Sequence, residues 1–319
     1  MYEKAIKKIK ILIADDFHPV LIKNLQEIKE VEAVYKPNIQ EAEILQIISN
    51  FEGFIVRSKI RCNKAFFDKA INLRFIARGG SGLDNIDEEY AFANGVVLLN
   101  APEANSNAVA EHALGLLLAL SNNFYSSFTE IKNGMWNREK NRGIELRNKT
   151  IGIIGFGNNG SALARLLSGF QIKVLAYDKY KKIDSIYAQK ATMQEIYKES
   201  DILSLHIPLT KETIGMVNTE FLANFLKPIV LINTSRGKIV NTKEVLRAIV
   251  VGKISHFGAD VLEEEEPQNR SLTQTDLYSK IFSMPNVLVT PHVAGWTSES
   301  YRQISDVLSS KIKHFLGRL

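Results

Sequence analysis

Cysteine is nearly absent: Cys62 is the only one in 319 residues. A single thiol forms neither an intramolecular disulfide framework nor a thiolate metal site, so no metal is expected and a reducing, cytoplasmic setting fits. Long apolar runs are also missing. The longest, Ala113 to Leu120, falls far short of the roughly 20 residues a spanning helix needs. The N-terminal stretch MYEKAIKKIKILIADDF breaks at Asp15 and Asp16, too early for a secretory signal or an anchor. A soluble chain without a membrane partner is expected. Nor does one sign of charge dominate. Lys and Arg number 40 against 35 Asp and Glu, a formal net charge of +5, and acids are interleaved with bases, which argues against a nucleic-acid partner. The densest basic set, Lys4, Lys7, Lys8 and Lys10, reads as a solvated face.

What is present is ordinary globular composition, 45% hydrophobic and 24% charged, enough for one large or two medium domains. Short β-branched runs alternate with segments of helical spacing, the pattern of βαβ units and parallel sheets. In the first hundred residues the predicted strands are Ile9 to Ala14, Ala33 to Tyr35, Gly53 to Arg57, Arg74 to Ala77 and Val96 to Leu99. A second set of six comprises Thr150 to Ile154, Val174 to Tyr177, Ile202 to His206, Ile229 to Asn233, Ser255 to Ala259 and Val287 to Val289. Six such strands make a complete Rossmann-type doubly wound sheet. Between the sets, one long helix from Asn107 to about Phe128 is apolar all round, which argues burial. Ser298 to Leu319 predicts an amphipathic helix through Ile304, Leu308, Ile312 and Phe315.

The sharpest local signal is TIGIIGFGNNGSALARLL. Gly155, Gly157 and Gly160 follow an apolar strand and open a helix, the arrangement that cradles a dinucleotide pyrophosphate. Gly155 permits the tight turn, Gly157 lets backbone approach the phosphates, and Gly160 lets helix and strand pack closely. The amides of Asn158 and Asn159 would meet the anion at the positive end of the helix. The next strand ends in Asp178, 18 residues after Gly160, near the position of the acid that binds the adenosine ribose. A carboxylate there repels a 2′-phosphate, so NAD is favoured over NADP, although Lys179, Lys181 and Lys182 follow.

The segments VRSKIR, GGSGLDNID, NAPEANSNAVAEHALGLLLAL, the glycine loop, HIPLTKET, NTSRG, ADVLEEEEP and TPHVAGWTSES, in this order over nearly the whole chain, resemble the D-isomer-specific 2-hydroxyacid dehydrogenases. Within that family the chain is most similar to short D-3-phosphoglycerate dehydrogenases without a regulatory domain. The resemblance implies a discontinuous, flavodoxin-like α/β substrate domain, residues 1–100 and 290–319, into which an NAD-binding Rossmann domain, residues 101–289, is inserted, with the active cleft between them. It also implies a homodimer through the apolar helix after Ala110.

The same resemblance implies Arg236, a glutamate of the acidic run and His292 as catalytic residues. An imidazole titrating near neutrality suits transfer of the hydroxyl proton. A carboxylate on its other nitrogen would fix the tautomer, and a forked guanidinium would grip the substrate carboxylate. Counting from Asp260 selects Glu265, whereas adjacency to Pro267 selects Glu266; the distance from a rigid strand end favours Glu265. Implied cofactor contacts, besides the loop and Asp178, are Ser81, His206, Pro208, Thr213, Thr234, Asp260 and Gly295. The substrate carboxylate would meet the amides around Ser81 and Gly82, with Ser58 nearby. A substrate phosphate would need Arg57, Lys59 and Arg78, joined by Arg138 or Arg142 of a second subunit. Trp296 departs from the small residue usual in the family and would narrow the pocket. His18, His112, His256 and His314 read as structural or surface residues. The implied activity is NAD-dependent interconversion of a D-2-hydroxy acid and its 2-oxo acid, D-3-phosphoglycerate in serine biosynthesis first. Hydroxypyruvate, glyoxylate or D-lactate chemistry, and an NAD(H)-sensing co-repressor, stay open.

Overall fold

The computed structural model describes residues 8–265 and 276–317, so Lys4, Lys7, Glu266 and Pro267 lie outside the described residues. The chain divides into two compact units, residues 1–105 with 296–319, and residues 106–295.

The first unit alternates strand and helix in order: β1 (Ile9–Ile13), α1 (Pro19–Gln26), β2 (Val31–Tyr35), α2 (Glu41–Ile47), β3 (Gly53–Val56), α3 (Lys64–Phe67), β4 (Phe75–Arg78), α4 (Glu88–Ala93) and β5 (Val97–Asn100). The strands form one parallel sheet in the order β2-β1-β3-β4-β5, which is the flavodoxin-like order. Both sheet faces are covered, so its central strands are apolar on each side rather than alternating. Leu12 and Phe54 face one core with Ile44 and Phe66; Ile11, Ile13, Ile55 and Phe75 face another.

The second unit runs α5 (Ser106–Ser121), α6 (Phe124–Lys132), β6 (Thr150–Ile154), α7 (Asn158–Leu166), β7 (Lys173–Tyr177), β8 (Gln189–Lys190), α8 (Met193–Glu199), β9 (Ile202–Leu205), α9 (Thr219–Ala223), β10 (Ile229–Asn233), α10 (Thr242–Val250), β11 (Ile254–Ala259), α11 (Asp276–Phe282) and β12 (Val287–Val289). Its seven-stranded parallel sheet has the order β12-β11-β10-β9-β6-β7-β8. The order reverses between β6 and β9, the point at which open α/β sheets bind ligands beyond the strand C-termini. Six strands are expected from the sequence. The seventh, β8, has only two residues, both exposed, and carries no apolar run to announce it. Finally α12 (Ser298–Leu316) returns to the first unit, where Ile304, Leu308 and Ile312 are buried in the core shared with Leu21 and Phe75.

Three corrections concern boundaries and the long helix. The helix expected from Asn107 to Phe128 is two helices, because Asn122 and Asn123 interrupt it and Asn123 takes a left-handed φ of 53°. The apolar side of α5 is spent within its own unit, where Leu116, Leu117 and Leu120 pack with Ile151, Leu163 and Ile232. Exposed large apolar side chains in this part of the chain lie instead on α6 and just beyond: Phe124, Tyr125, Phe128, Ile131, Met135 and Trp136. The last crossing between units falls after Gly295 rather than at residue 290. Hydrogen bonds are the reason, since the Thr290 amide donates to the Ala259 carbonyl and the His292 amide to the Asp260 carbonyl, fastening this segment to the end of β11.

Candidate active site

In the second unit the residues of interest stand at the C-terminal ends of successive parallel strands. After β6 the chain must turn sharply into α7. Gly155 does so with φ +90°, and a Cβ on it would lie 2.3 Å from the His206 carbonyl oxygen. A Cβ on Gly160 would lie 2.1 Å from the Gly155 oxygen, so strand and helix meet at a distance only glycine allows. Gly157 differs, for its nearest neighbour would be Lys181 Nζ at 3.7 Å. Space is left where a pyrophosphate would approach. Gly157 is the N-cap of α7 and no side chain caps that end, leaving amides at Asn158 and Asn159 for an anion.

Asp178 follows β7. Its Oδ2 accepts the Phe156 amide at 2.8 Å, and its Oδ1 accepts the amides of Tyr180 and Lys181 at 2.9 and 2.8 Å. Burial pushes this carboxyl up, but the three amides outweigh it and hold the group below its ordinary value. With one protein donor on Oδ2, lone-pair capacity remains for ribose hydroxyls. Lys179, which could have softened its repulsion of a 2′-phosphate, is paired with Glu212 at 2.7 Å. His206 closes β9; burial lowers its imidazole to about 4, so it is neutral near pH 7, with Nε2 2.9 Å from Ser204 Oγ. The buried atoms His206 Nδ1, Asn159 Oδ1 and Thr234 Oγ1 have no hydrogen-bond partner among the described residues. Thr213 Oγ1 donates to the Pro208 carbonyl at 2.7 Å and accepts from the Thr210 amide at 2.8 Å, which fixes this loop. An open glycine turn after β6, an ionised acid after the neighbouring β7 and orphaned polar atoms on α7 and after β9 and β10 fit NAD.

The catalytic candidates cluster at the ends of β10, β11 and β12. Asn233 braces the turn that carries Arg236: its Oδ1 accepts from Ser235 and its Nδ2 donates to the Arg236 carbonyl. A Cβ on the next residue, Gly237, would sit 1.7 Å from the Leu262 oxygen, so this turn lies against the loop carrying the acidic run. There Glu263 accepts the Thr242 amide and the Glu264 amide donates to Tyr278. Glu265 is the one that meets the histidine. Its Oε1 accepts the Leu262 amide at 3.1 Å, and its Oε2 is 2.6 Å from His292 Nδ1.

His292 adopts φ +55°, a left-handed conformation that a non-glycine residue keeps only when its surroundings hold it. Asp260, 1% exposed, does the holding. Its carbonyl accepts the His292 amide at 2.8 Å. Its carboxylate accepts the amides of Val293 and Ala294 at 2.9 and 2.7 Å and the Thr290 hydroxyl at 2.5 Å. The expectation that Asp260 contacts the cofactor therefore acquires a second reading, as the buried anchor of the histidine loop. The Glu265 hydrogen bond raises His292 above the ordinary imidazole value; burial opposes it, the charges of Glu265 and Asp260 assist, and Arg236 works against it. Arg236, Glu265 and His292 are thus one electrostatic group, with Nε2 of His292 left without a hydrogen bond among the described residues. Gly295 ends this unit.

The first unit holds the other candidates, again beyond strand C-termini. Asp15 Oδ2 accepts the amides of Arg57, Ser58 and Lys59, fixing the loop after β3. Lys59 is engaged with the Pro37 carbonyl and Asp15. The Arg57 guanidinium lies over Trp296 at 4.1 Å, with Tyr301 at 5.8 Å and Phe17 at 6.0 Å. Burial lowers its pKa against the opposing pull of Asp15, Tyr301 and Asp16, and it makes no hydrogen bond or ion pair through its guanidinium among the described residues. Trp296 is thus the stacking partner of Arg57. The Arg78 side chain lies over Gly80, where a Cβ would be 1.9 Å from Nη1. Asn100 Nδ2 donates to the Ser81 carbonyl at 2.7 Å, leaving the amides of Ser81 and Gly82 without a protein acceptor among the described residues. Of the two arginines expected from a second subunit, Arg142 pairs with Glu139. Cys62 is buried, which pushes its thiol up to about 12, so it is no nucleophile. No helix among the described residues is long and apolar enough to cross a membrane.

Known proteins resemble this chain in sequence and fold. The family model for the NAD binding domain of D-isomer specific 2-hydroxyacid dehydrogenases matches residues 114–294. A hydroxypyruvate reductase of Thermotoga maritima is 34% identical over 289 residues, covering 91% of this chain and 92% of that protein. A D-3-phosphoglycerate dehydrogenase of Methanocaldococcus jannaschii is 33% identical over 312 residues, 97% of this chain; the chain spans 57% of the length of that relative. The crystal structure of a D-lactate dehydrogenase of Aquifex aeolicus, complexed with NAD and lactic acid, superposes with a TM-score of 0.83 at 28% identity and covers 96% of this chain and 95% of its own.

Proposed function

Because the chain belongs to the D-isomer specific 2-hydroxyacid dehydrogenase family, NAD-dependent oxidoreductases, we propose that its substrates carry a second anionic group, with D-3-phosphoglycerate and 3-phosphohydroxypyruvate first among them. The observation that supports this is Arg57. A half-buried guanidinium with aromatic neighbours, and with no carboxylate in direct hydrogen-bond or ion-pair contact among the described residues, is costly unless a ligand supplies the charge. Its planar fork suits a carboxylate or phosphate.

The glycine turn at Gly155, Gly157 and Gly160 and the Asp178 carboxylate would hold NAD, which would supply the hydride acceptor for C2 of the hydroxy acid and, when reduced, the donor to the oxo acid. The chain's residues handle the proton and the charge. In the oxidising direction Nε2 of neutral His292 takes the hydroxyl proton; in the reducing direction the imidazolium returns it to the carbonyl oxygen. Glu265 keeps the other proton on Nδ1 and stabilises the imidazolium. Arg236 donates to the substrate carboxylate and the reacting oxygen, lowering the cost of charge developing there.

A second reading, hydroxypyruvate reduction, is supported by the Thermotoga relative, which matches over 92% of its length. Hydroxypyruvate has no phosphate, so Arg57 separates the two. Turnover of phosphohydroxypyruvate, hydroxypyruvate, glyoxylate and pyruvate with NADH should favour the phosphorylated acid in the wild type, and Arg57→Met should remove about tenfold or more of that preference while leaving glyoxylate nearly untouched. Equal losses on all four acids would remove Arg57 from a phosphate site.

The chain's partner is read as a second copy of itself, met through the exposed apolar face of α6 rather than α5. Phe124, Phe128 and Ile131 recur at helical spacing on α6 and are each exposed, and apolar surface of this kind marks an interaction surface.

A further inference from the structure

His112, taken from the sequence as a structural residue, stands on α5 with Nε2 2.8 Å from Thr290 Oγ1 and 3.5 Å from Asp260 Oδ1. Thr290 Oγ1 is in turn 2.5 Å from Asp260 Oδ1. A hydroxyl has one proton, and a carboxylate has none to give. Thr290 therefore donates to Asp260 and accepts from the imidazole, which requires that His112 carry its proton on Nε2. The chain of donors ends on the buried carboxylate that grips the amides of Val293 and Ala294, directly after His292.

We propose that His112 is a positioning residue for His292. Its Nε2–H holds the Thr290 hydroxyl onto Asp260, and Asp260 thereby keeps the histidine loop in its left-handed turn, with the ring aimed at the reacting oxygen. Without the donor, the Thr290 hydroxyl is free to leave Asp260, which then holds the loop by two amides and one carbonyl only. The proposal rests on the reading of His292 as the acid–base group.

The test compares His112→Phe, His112→Gln, Thr290→Val and the double variant His112→Phe with Thr290→Val in the full-length protein. Phenylalanine fills the volume of the ring without a donor; glutamine restores an N–H at about the same reach. kcat for NADH-dependent reduction should fall about tenfold in His112→Phe and in Thr290→Val, while the Kd for NADH, read from nucleotide fluorescence, stays within about twofold. The double variant should be no slower than Thr290→Val alone, because the two residues act in series, and His112→Gln should recover most of the loss. An unchanged kcat in His112→Phe, losses that multiply in the double variant, or a loss of NADH affinity that tracks the loss of kcat would overturn the proposal. If Thr290→Val does not fold, the contrast between phenylalanine and glutamine at 112 decides it. Wild-type turnover that survives removal of the His292 imidazole sinks the acid–base reading together with this proposal. Turnover that needs His292 but ignores His112 sinks this proposal alone.

Discussion

Replacing Glu265 by glutamine keeps side-chain length but removes the carboxylate from Nδ1 of His292, and the effect can be worked out from the contact itself. The 2.6 Å pair is a hydrogen bond between charged groups when His292 is protonated, worth about 1.5–3 kcal/mol in general. The two side chains are 52% and 36% exposed, so solvent screening trims this to about 1–1.5 kcal/mol. The sign follows from what the carboxylate does. Glu265 raises His292, so its loss moves the midpoint down. Reduction of a 2-oxo acid needs the imidazolium; above both midpoints its population falls about tenfold for each pH unit by which the midpoint drops, whereas below both it is unchanged. A pH profile of kcat/KM for reduction, from about pH 5 to 9, should therefore show its alkaline limb displaced to lower pH in Glu265→Gln, with activity on that limb reduced about tenfold and the Kd for NADH unaltered. The oxidation profile should move the same way. A midpoint that stays or rises, or an NADH affinity that falls in proportion to activity, would mean that Glu265 does not stabilise the imidazolium.

Two further outcomes follow from the same geometry. Asp178→Ser should weaken NADH and narrow the preference for NADH over NADPH by about tenfold, measured as the ratio of the two dissociation constants, because the amides it binds are held by an acid that repels a 2′-phosphate. A charge on the exposed face of α6, Phe128→Asp, should lower the sedimentation coefficient from that of a dimer to that of a monomer if this face joins two copies; an unchanged coefficient assigns the patch elsewhere.

Sequence carried the dinucleotide loop well because each glycine answers a local steric demand: the turn at Gly155, the open approach at Gly157 and the helix contact at Gly160. Spacing from the end of β11 also pointed to Glu265, since the strand fixes Asp260 and the short loop from there has little freedom. Other features depend on tertiary contact and leave no local mark. The two-residue β8 has no apolar pattern. The break between α5 and α6 depends on one left-handed asparagine. The oiliness of α5, read as a subunit interface, is spent on β6, α7 and β10, because an all-round apolar helix says that it is buried and not what buries it. His112, Asp260 and Thr290 are distant in sequence, and only the sheet brings them together. Arg57 was visible as a charge; its stacking on Trp296, contributed from the far end of the chain, was not.

Whether His292 is the acid–base group is tested by a pair of constants for His292→Asn, the Kd for NADH and the single-turnover rate of 2-oxo acid reduction, taken on one preparation. The Kd should stay within about twofold of wild type while the rate falls by about a hundredfold or more. A rate close to that of the wild type, or a Kd that weakens as much as the rate falls, would show that the imidazole does not carry the proton.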